Sequence, residues 1–206
     1  MKKLFFLISI LVASLLSLQA QDLGELRIGV TGGFDISSTN LKSKHTPAFG
    51  FNAGALVDIG LGNGLYLATG ARFTQRGVHW VVDNETANPG YIVLPVCAGY
   101  NLDVFDGVSV FAEVGAYGGV GVAGKLKLKN TGSTIPYWDV VFTDSGTSPY
   151  RFEAGVVAVL GIEFFYSLQL RVSYEQGLTK LSSASNSALS YSTISIGLAY
   201  LFNFFM

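Results

Sequence analysis

The chain has 206 residues, of which 50% are hydrophobic and only 13% are charged. Because an average soluble domain carries about 25% charged residues, much of this protein's surface is not expected to face water. The 13 Lys and Arg nearly balance the 14 Asp and Glu, which excludes the strongly basic surface of a nucleic-acid-binding protein.

The first 20 residues are organised like a secretion signal. Lys2 and Lys3 form a positive start, an apolar run covers residues 4–18, and Ala20 supplies a small residue before the first acidic one. This order predicts a signal peptide at residues 1–20 and an exported domain at residues 21–206. A membrane anchor is the alternative, but the run is shorter than the about 20 residues that a spanning helix needs. Cys97, the only cysteine, excludes an internal disulfide.

Eight segments of the exported domain alternate apolar and polar residues with the period of two that is typical of β-strands. They lie near residues 25–36, 48–59, 65–81, 91–103, 108 onward, 150–163, 167–179 and 191–206. One parity is apolar, as in Ile92, Leu94 and Val96, and the other carries glycine, small polar residues and charges. The polar parity has too few charges for a solvated face and too many for an ordinary core. We therefore expect apolar residues to face lipid and polar residues to face a barrel interior.

The connections between these segments alternate in length. Short connections at residues 60–64, 103–107 and 164–167 alternate with longer polar ones at 37–47, 82–90, 130–149 and 180–190. Short periplasmic turns and long outer loops are typical of outer-membrane barrels. The fold class predicted is all-β, an eight-stranded antiparallel transmembrane β-barrel in the outer membrane, with both termini in the periplasm.

Aromatic residues flank the segments near both predicted membrane surfaces, which favours two interface girdles over ordinary aromatic core residues. On the periplasmic side we place Tyr66, Tyr100, Phe105, Phe164, Phe165, Tyr166 and Phe202. On the outer side we place Phe34, Phe49, Phe73, Trp80, Tyr91, Tyr150, Phe152 and Tyr174.

The polar parity collects charges of both signs. An eight-stranded barrel is just wide enough for side chains to fill it, and buried charges are costly unless they are paired. We therefore predict a plug of ion pairs, with a charged conduit for small solutes as the alternative. The predicted interior network consists of Arg27, Asp35, Arg72, Glu113, Arg151, Glu153, Glu163, Arg171 and Glu175. Asp58 and Arg76 share the same parity, and Glu113, Arg72 and Arg171 are the expected mid-barrel partners.

The fifth segment contains a glycine-rich motif followed directly by a lysine-rich one. The glycines at 119, 121 and 124 have the spacing of a dinucleotide fingerprint, but a strand pattern follows where that fingerprint needs a helix. We expect these glycines to relieve crowding inside the barrel. Lys125, Lys127 and Lys129 carry the strand beyond the bilayer, where they are either solvated or in contact with lipid phosphates.

Catalytic and cofactor chemistry has little support. His45 and His79 both fall on the outer side, but no spacing identifies a triad or a metal site. We predict no catalytic residue, no cofactor and no metal. Tyr137 and Trp138 form an aromatic cluster in the longest loop, which either contacts a partner or folds the loop on itself.

Several stretches resemble the small PorT-like, or porin-family, outer-membrane barrels of the Bacteroidota. They are LRIGVTGGFD, GLYLATGARFTQRG, YIVLPVCAGYNL, RFEAGVVAVLGIEF, LQLRVSYEQGLTKL and ISIGLAYLF. The resemblance implies an eight-stranded outer-membrane barrel without a defined activity. The closing strand, with Phe202 in its apolar parity, also resembles the signal that the barrel assembly machinery reads.

Taken together, these features predict a structural or binding module that acts through its outer loops. A narrow channel is the alternative, and an outer-membrane enzyme is a third possibility. The expected partners are outer-membrane lipid, the barrel assembly machinery during biogenesis and an envelope protein, with no nucleic acid.

Overall fold

A computed structural model describes residues 26–39, 45–80, 85–128, 133–139, 151–179 and 190–204. The predicted signal peptide lies outside the described residues. The strands are β1 (Leu26–Thr39), β2 (His45–Gly62), β3 (Leu65–Gln75), β4 (Gly77–Trp80), β5 (Glu85–Phe105), β6 (Val108–Leu128), β7 (Ser133–Pro136), β8 (Phe152–Phe164), β9 (Leu168–Gly177) and β10 (Tyr191–Phe204). A short 3₁₀ helix at Tyr137–Asp139 follows β7. No helix within these ranges has the length and apolar character to cross a membrane.

The strands close into an eight-stranded antiparallel barrel, as predicted. β3 and β4 together form one strand of the barrel, interrupted at Arg76, because β2 and β5 pair with both of them. β7 pairs only with the far end of β6 and is not part of the barrel wall. The barrel closes through β1 and β10, whose ladder runs from Leu26 opposite Phe204 to Thr39 opposite Tyr191. Closure satisfies the backbone groups that an open sheet edge would expose to hydrocarbon.

Alternation along each strand separates two surfaces. Large apolar side chains point outward, and Phe34, Phe49 and Leu160 are 74%, 80% and 65% exposed. The opposite parity is buried and includes Asp35, Glu163 and most of the other charged residues of the strands. An apolar exterior around a polar interior is the inverse of a water-soluble barrel and fits a lipid environment. The predicted assignment of the two faces is therefore confirmed.

The two ends of the barrel differ. We call the end that carries the short connections after β2, β5 and β8 the turn end. The start of β1 and the end of β10 lie at this same end. Asn63 in the first turn and Phe165 and Tyr166 in the third have positive φ angles of 54°, 53° and 57°. These values match the tight hairpin turns that follow the twist of the strands. The opposite end, at which β1 ends and β10 begins, is the loop end.

The strands run further toward the loop end than the hydrophobic pattern predicts. β5 and β6 each have 21 residues, about twice the number needed to cross a bilayer. Residues 85–90 were expected to lie in a loop and are part of β5. Above the membrane, water can surround both faces of a hairpin, so the alternation that marks the spanning part disappears. Lys125 is exposed on this extension, whereas Lys129 lies outside the described residues.

The glycine motif of β6 is strand throughout, as expected, and no helix begins there. A side chain at Gly121 would collide with Trp138, because an added Cβ would lie 2.1 Å from the indole ring. The glycine therefore makes room for an aromatic side chain from the segment after β7.

Candidate functional site: the barrel interior

Inward-facing polar side chains fill the barrel and form two hydrogen-bonded networks. The turn-end network consists of Arg27, Asp58, Tyr66, Glu113, Glu163, Gln169 and Arg171. The loop-end network consists of Arg72, Arg76, Tyr117, Glu153 and Glu175. Strand parity sets which residues face inward, and their depth along the strand sets which network they join.

Arg27 begins the turn-end network. Its guanidinium donates from Nη1 to Glu163 at 2.8 Å and from Nη2 to Asp58 at 3.1 Å. Gln169 connects Glu163 to Arg171. Its amide nitrogen donates to Glu163 at 2.6 Å, and its amide oxygen accepts from Arg171 at 2.5 Å. These contacts join β1, β2, β8 and β9 across the barrel. Both carboxylates are buried, so each depends on Arg27 for its countercharge.

The same network continues to mid-barrel through Arg171 and Glu113. Arg171 Nη2 donates to Glu113 at 2.6 Å, and the Tyr66 hydroxyl donates to the other carboxylate oxygen at 3.0 Å. The guanidinium carbon of Arg171 also lies 5.1 Å from the centroid of the Phe111 ring, within the range of a cation–π contact. Of the expected mid-barrel partners Glu113, Arg72 and Arg171, the structure pairs Arg171 with Glu113, whereas Arg72 donates to Glu175.

Arg76 is the centre of the loop-end network. Its guanidinium is fully buried and donates to Glu153 and, at 2.6 Å, to Glu175. Tyr117 donates to Glu153 at 2.7 Å, and Arg72 donates to the other carboxylate oxygen of Glu175. Burial of this kind requires good pairing, because desolvation of each ion costs several kcal/mol.

Asp35 is held differently from the other buried acids. Asn52 and Thr74 each donate to one of its carboxylate oxygens at 2.5 Å. Among the described residues no basic side chain forms an ion pair with Asp35. Its predicted place in the interior holds, but its contacts are neutral hydrogen bonds and not a salt bridge.

Aromatic side chains cover the barrel interior at the loop end. Trp138 is 7% exposed and its indole N–H donates to the carbonyl oxygen of Ala123 at 2.7 Å. The centroid of its ring lies 5.5 Å from that of Tyr91 and 4.9 Å from that of Tyr137, both in edge-on contacts. The ring centroids of Tyr91 and Tyr191 are 6.2 Å apart. We call Tyr91, Tyr137, Trp138 and Tyr191 the mouth cluster. Burial also raises the pKa of the Tyr137 hydroxyl above its ordinary value.

One assignment made from the sequence is wrong, and the structure favours one of the two interpretations of Tyr137 and Trp138. Arg151 is exposed and its guanidinium carbon lies 5.8 Å from the ring centroid of Trp138, so it does not belong to the interior network. It comes just before β8, where strand parity no longer constrains its direction. Tyr137 and Trp138 are buried in the mouth cluster. Of the two interpretations of these aromatic residues, the folding of the loop onto the protein itself fits.

The aromatic girdles are correct in part. Phe34, Phe49, Phe105, Phe152 and Phe165 are strongly exposed near the barrel ends. Tyr66 and Tyr91, which were also assigned to the girdles, point inward and are buried instead. Trp80 and Tyr150 were assigned to the outer girdle, and the structure does not describe their side chains.

The neutral partners in the interior were missed. Asn52, Thr74, Tyr117 and Gln169 each satisfy a buried charge, and each occupies the inward parity. Parity was the available signal for them, but residue type alone does not distinguish a hydrogen-bond partner from a space-filling side chain.

A mid-barrel cavity of about 50 Å³ lies between the two networks. Arg72, Glu175, Glu113 and Arg171 contribute to its wall, together with the thiol-bearing residue Cys97. We call this cavity the chamber.

The described residues offer no group suited to holding a metal ion. No group of three or more His, Cys, Asp or Glu residues in these ranges has the geometry to hold a metal ion. His45 and His79 lie on paired strands at the loop end, where His79 is opposite Thr46 and His45 is opposite Trp80. The absence of enzymatic activity stays a prediction.

Comparison with protein families gives one match. Residues 19–183 match the family described as the outer membrane protein beta-barrel domain, and this match covers most of the chain. No curated protein sequence matches the chain.

Comparison with solved structures gives small outer-membrane barrels of low sequence identity. Neisserial surface protein A is 12% identical over 87% of this chain and 99% of its own, with a TM-score of 0.53. Outer membrane protein OprG from Pseudomonas aeruginosa is 12% identical over 85% of this chain and 95% of its own, with a TM-score of 0.49. Ail, the attachment invasion locus protein of Yersinia pestis, is 17% identical over 87% of this chain and all of its own, with a TM-score of 0.46. At these identities the likeness concerns the fold alone.

Proposed function

Because the chain belongs to the outer membrane protein beta-barrel domain family, we propose that it is a closed outer-membrane barrel acting as a structural or binding module through its outer loops. The turn end faces the periplasm and the loop end faces outward, in keeping with the short turns and longer loops of such barrels. The narrower kinship with PorT-like proteins of the Bacteroidota stays a prediction from the strand sequences.

The observation that carries the proposal is the filling of the interior at successive depths. Arg27, with its two carboxylates, crosses the barrel near the turn end. Arg76, with its two carboxylates, crosses it near the loop end, below the buried ring of Trp138. A solute would have to separate buried ion pairs at both levels, and such separation leaves uncompensated charge in a low-dielectric space.

Planar-bilayer recording tests this proposal. The wild-type protein is expected to show no steady unit currents after insertion, whereas steady unit currents would overturn the closed interior. The double variant Arg27→Gly with Arg76→Gly, checked for folding by heat-dependent gel mobility, serves as a matched control. This variant removes the arginine that pairs with two carboxylates in each network. It should therefore conduct ions, which would show that the assay detects an opened barrel.

A narrow channel for small solutes is the second candidate. The specific observation in its favour is that polar groups line the interior on both sides of the chamber. The same recordings separate the two candidates, because a channel conducts without any substitution. An enzymatic role is third, and loss of a lipid- or peptide-hydrolysing activity on substitution of His45 or His79 would revive it.

The binding role has its own experiment. A photo-reactive amino acid placed at Lys125, which is exposed on the β6 extension, should cross-link to an envelope partner in intact cells. The same amino acid at Leu61, exposed at the turn end, is the matched control and should give a different pattern. If both positions gave only identical lipid adducts, the loop end would not be a binding surface.

The closing strand, β10, is the part of the chain on which we base a second proposed partner. Phe202 points outward and is half exposed, in the apolar parity of β10. We propose that the barrel assembly machinery reads this strand during biogenesis. Phe202→Ala should then lower the yield of assembled barrel in cells without changing its stability once folded, and an unchanged yield would contradict this role.

A further inference from the structure

The chamber contains polar groups that the protein itself does not satisfy. Arg72 Nε and Ser195 Oγ are buried and have no hydrogen-bond partner among the described protein atoms. Both residues contribute to the chamber wall, and Ser195 is only 5% exposed. A buried donor without a partner costs about 1–3 kcal/mol, so two such groups around one cavity require an explanation.

The wall of the chamber is also irregular. The β3–β5 ladder stops at Thr69 opposite Val96 and resumes at Arg72 opposite Val93. Pro95, which lies in this gap and borders the chamber, has no N–H to donate. The Thr69 hydroxyl donates instead to the Pro95 carbonyl oxygen at 2.8 Å. The β3–β5 ladder therefore lacks two backbone pairs beside the chamber.

The charges around the chamber balance. Arg72 and Arg171 contribute two positive charges, and Glu113 and Glu175 contribute two negative charges. The carboxylates already accept from these arginines. A neutral species that both donates and accepts hydrogen bonds fits this environment better than an ion of either sign.

We propose that the chamber is a binding site for a small cluster of ordered water molecules. A water needs at least about 10–15 Å³ of accessible volume and two to four polar partners. The chamber, at about 50 Å³, has room for about three. Water accepts from Arg72 Nε, exchanges a hydrogen bond with Ser195 Oγ and donates to the remaining lone pairs of the Glu113 and Glu175 carboxylates, whose oxygens each accept one hydrogen bond from the protein. The cluster thereby connects the two networks, between which the described side chains form no direct ion pair.

An isosteric pair of substitutions at Ser195 tests the hydration of the chamber. Threonine and valine have nearly the same shape, so Ser195→Thr and Ser195→Val add equal volume and differ only in the hydroxyl. If the chamber binds water, the urea midpoint of unfolding in lipid vesicles should be lower for the valine variant than for the threonine variant. In a dry chamber, valine would fill the space favourably, so a higher midpoint for valine than for threonine would overturn the proposal.

Nuclear magnetic resonance gives a direct readout that does not depend on stability. Wild-type protein labelled with ¹⁵N-arginine in lipid nanodiscs should show a cross-peak between water and the Arg72 Nε proton. The signal is assigned by its loss in Arg72→Lys, and exposed Arg151 is the positive control for contact with water. A water cross-peak at Arg151 together with none at Arg72 would refute a hydrated chamber.

Discussion

Replacement of Arg76 by methionine is the sharpest perturbation of the barrel interior. The side chain is fully buried and its guanidinium donates to the carboxylates of Glu153 and Glu175. Methionine keeps a similar length and removes the charge. Glu175 still has Arg72 as a partner, but Glu153 is left with the Tyr117 hydroxyl alone.

The expected loss follows from that one uncompensated carboxylate. Removal of one partner of a buried ion pair costs about 3–5 kcal/mol. The guanidinium carbon also lies 5.3 Å and 5.4 Å from the ring centroids of Tyr91 and Tyr117, contacts that methionine replaces only in part. We therefore expect Arg76→Met to lower the free energy of unfolding by about 4 kcal/mol.

Urea-induced unfolding in lipid vesicles, followed by heat-dependent gel mobility, measures this loss. Arg151→Met is the matched control, because it makes the same chemical change at an exposed arginine and should cost about 1 kcal/mol or less. The double variant Arg76→Met with Glu153→Gln should recover at least half of the loss, since it removes the orphaned charge. A single variant as stable as Arg151→Met, or a double variant no better than the single one, would refute the reasoning.

Three further substitutions test other parts of the barrel. Glu113→Ala should lower the free energy of unfolding by about 3 kcal/mol because it removes the carboxylate that accepts from the buried Tyr66 hydroxyl and from Arg171, and an unchanged urea midpoint would argue against a plugged interior. Gly121→Ala in a Trp80→Phe background should displace Trp138, giving red-shifted emission and faster acrylamide quenching; an unchanged spectrum would contradict its buried position. Tyr166→Gly should raise the stability by about 1 kcal/mol, because glycine adopts the positive φ of this turn without strain, and a lower urea midpoint would show that the tyrosine side chain outweighs it.

The barrel wall was predictable because each spanning strand obeys one rule repeated many times. Ile194, Ile196 and Leu198 all had to face lipid once the parity of β10 was assigned, and all three do. The alternating lengths of the connections then ordered the strands into adjacent hairpins. Both signals are local in sequence and depend on the bilayer, which imposes the same apolar surface on every strand.

The pairing inside the barrel was less predictable because parity gives direction but not depth. Arg151 and Glu153 lie two positions apart and so share a parity, which suggested that both belong to the interior. The barrel wall places Glu153 beside Arg76, which is 77 residues away, and leaves Arg151 outside. Such partners depend on the stagger between strands, and a single strand's pattern does not contain it.

Tyr66 and Tyr91 show which of two signals outweighs the other. Their residue type favoured the membrane interface, where tyrosine is common, but their parity favoured the interior. Parity prevailed in both cases, since Tyr66 donates to Glu113 and Tyr91 covers the guanidinium of Arg76. A tyrosine on the inward parity supplies a hydroxyl or a ring face to a buried charge, and phenylalanine could replace only the ring. Tyr66→Phe should therefore lower the free energy of unfolding, because Glu113 loses the hydrogen bond from the hydroxyl. Tyr91→Phe should lower it less, because the ring that covers Arg76 remains. Equal losses for the two substitutions would contradict this distinction.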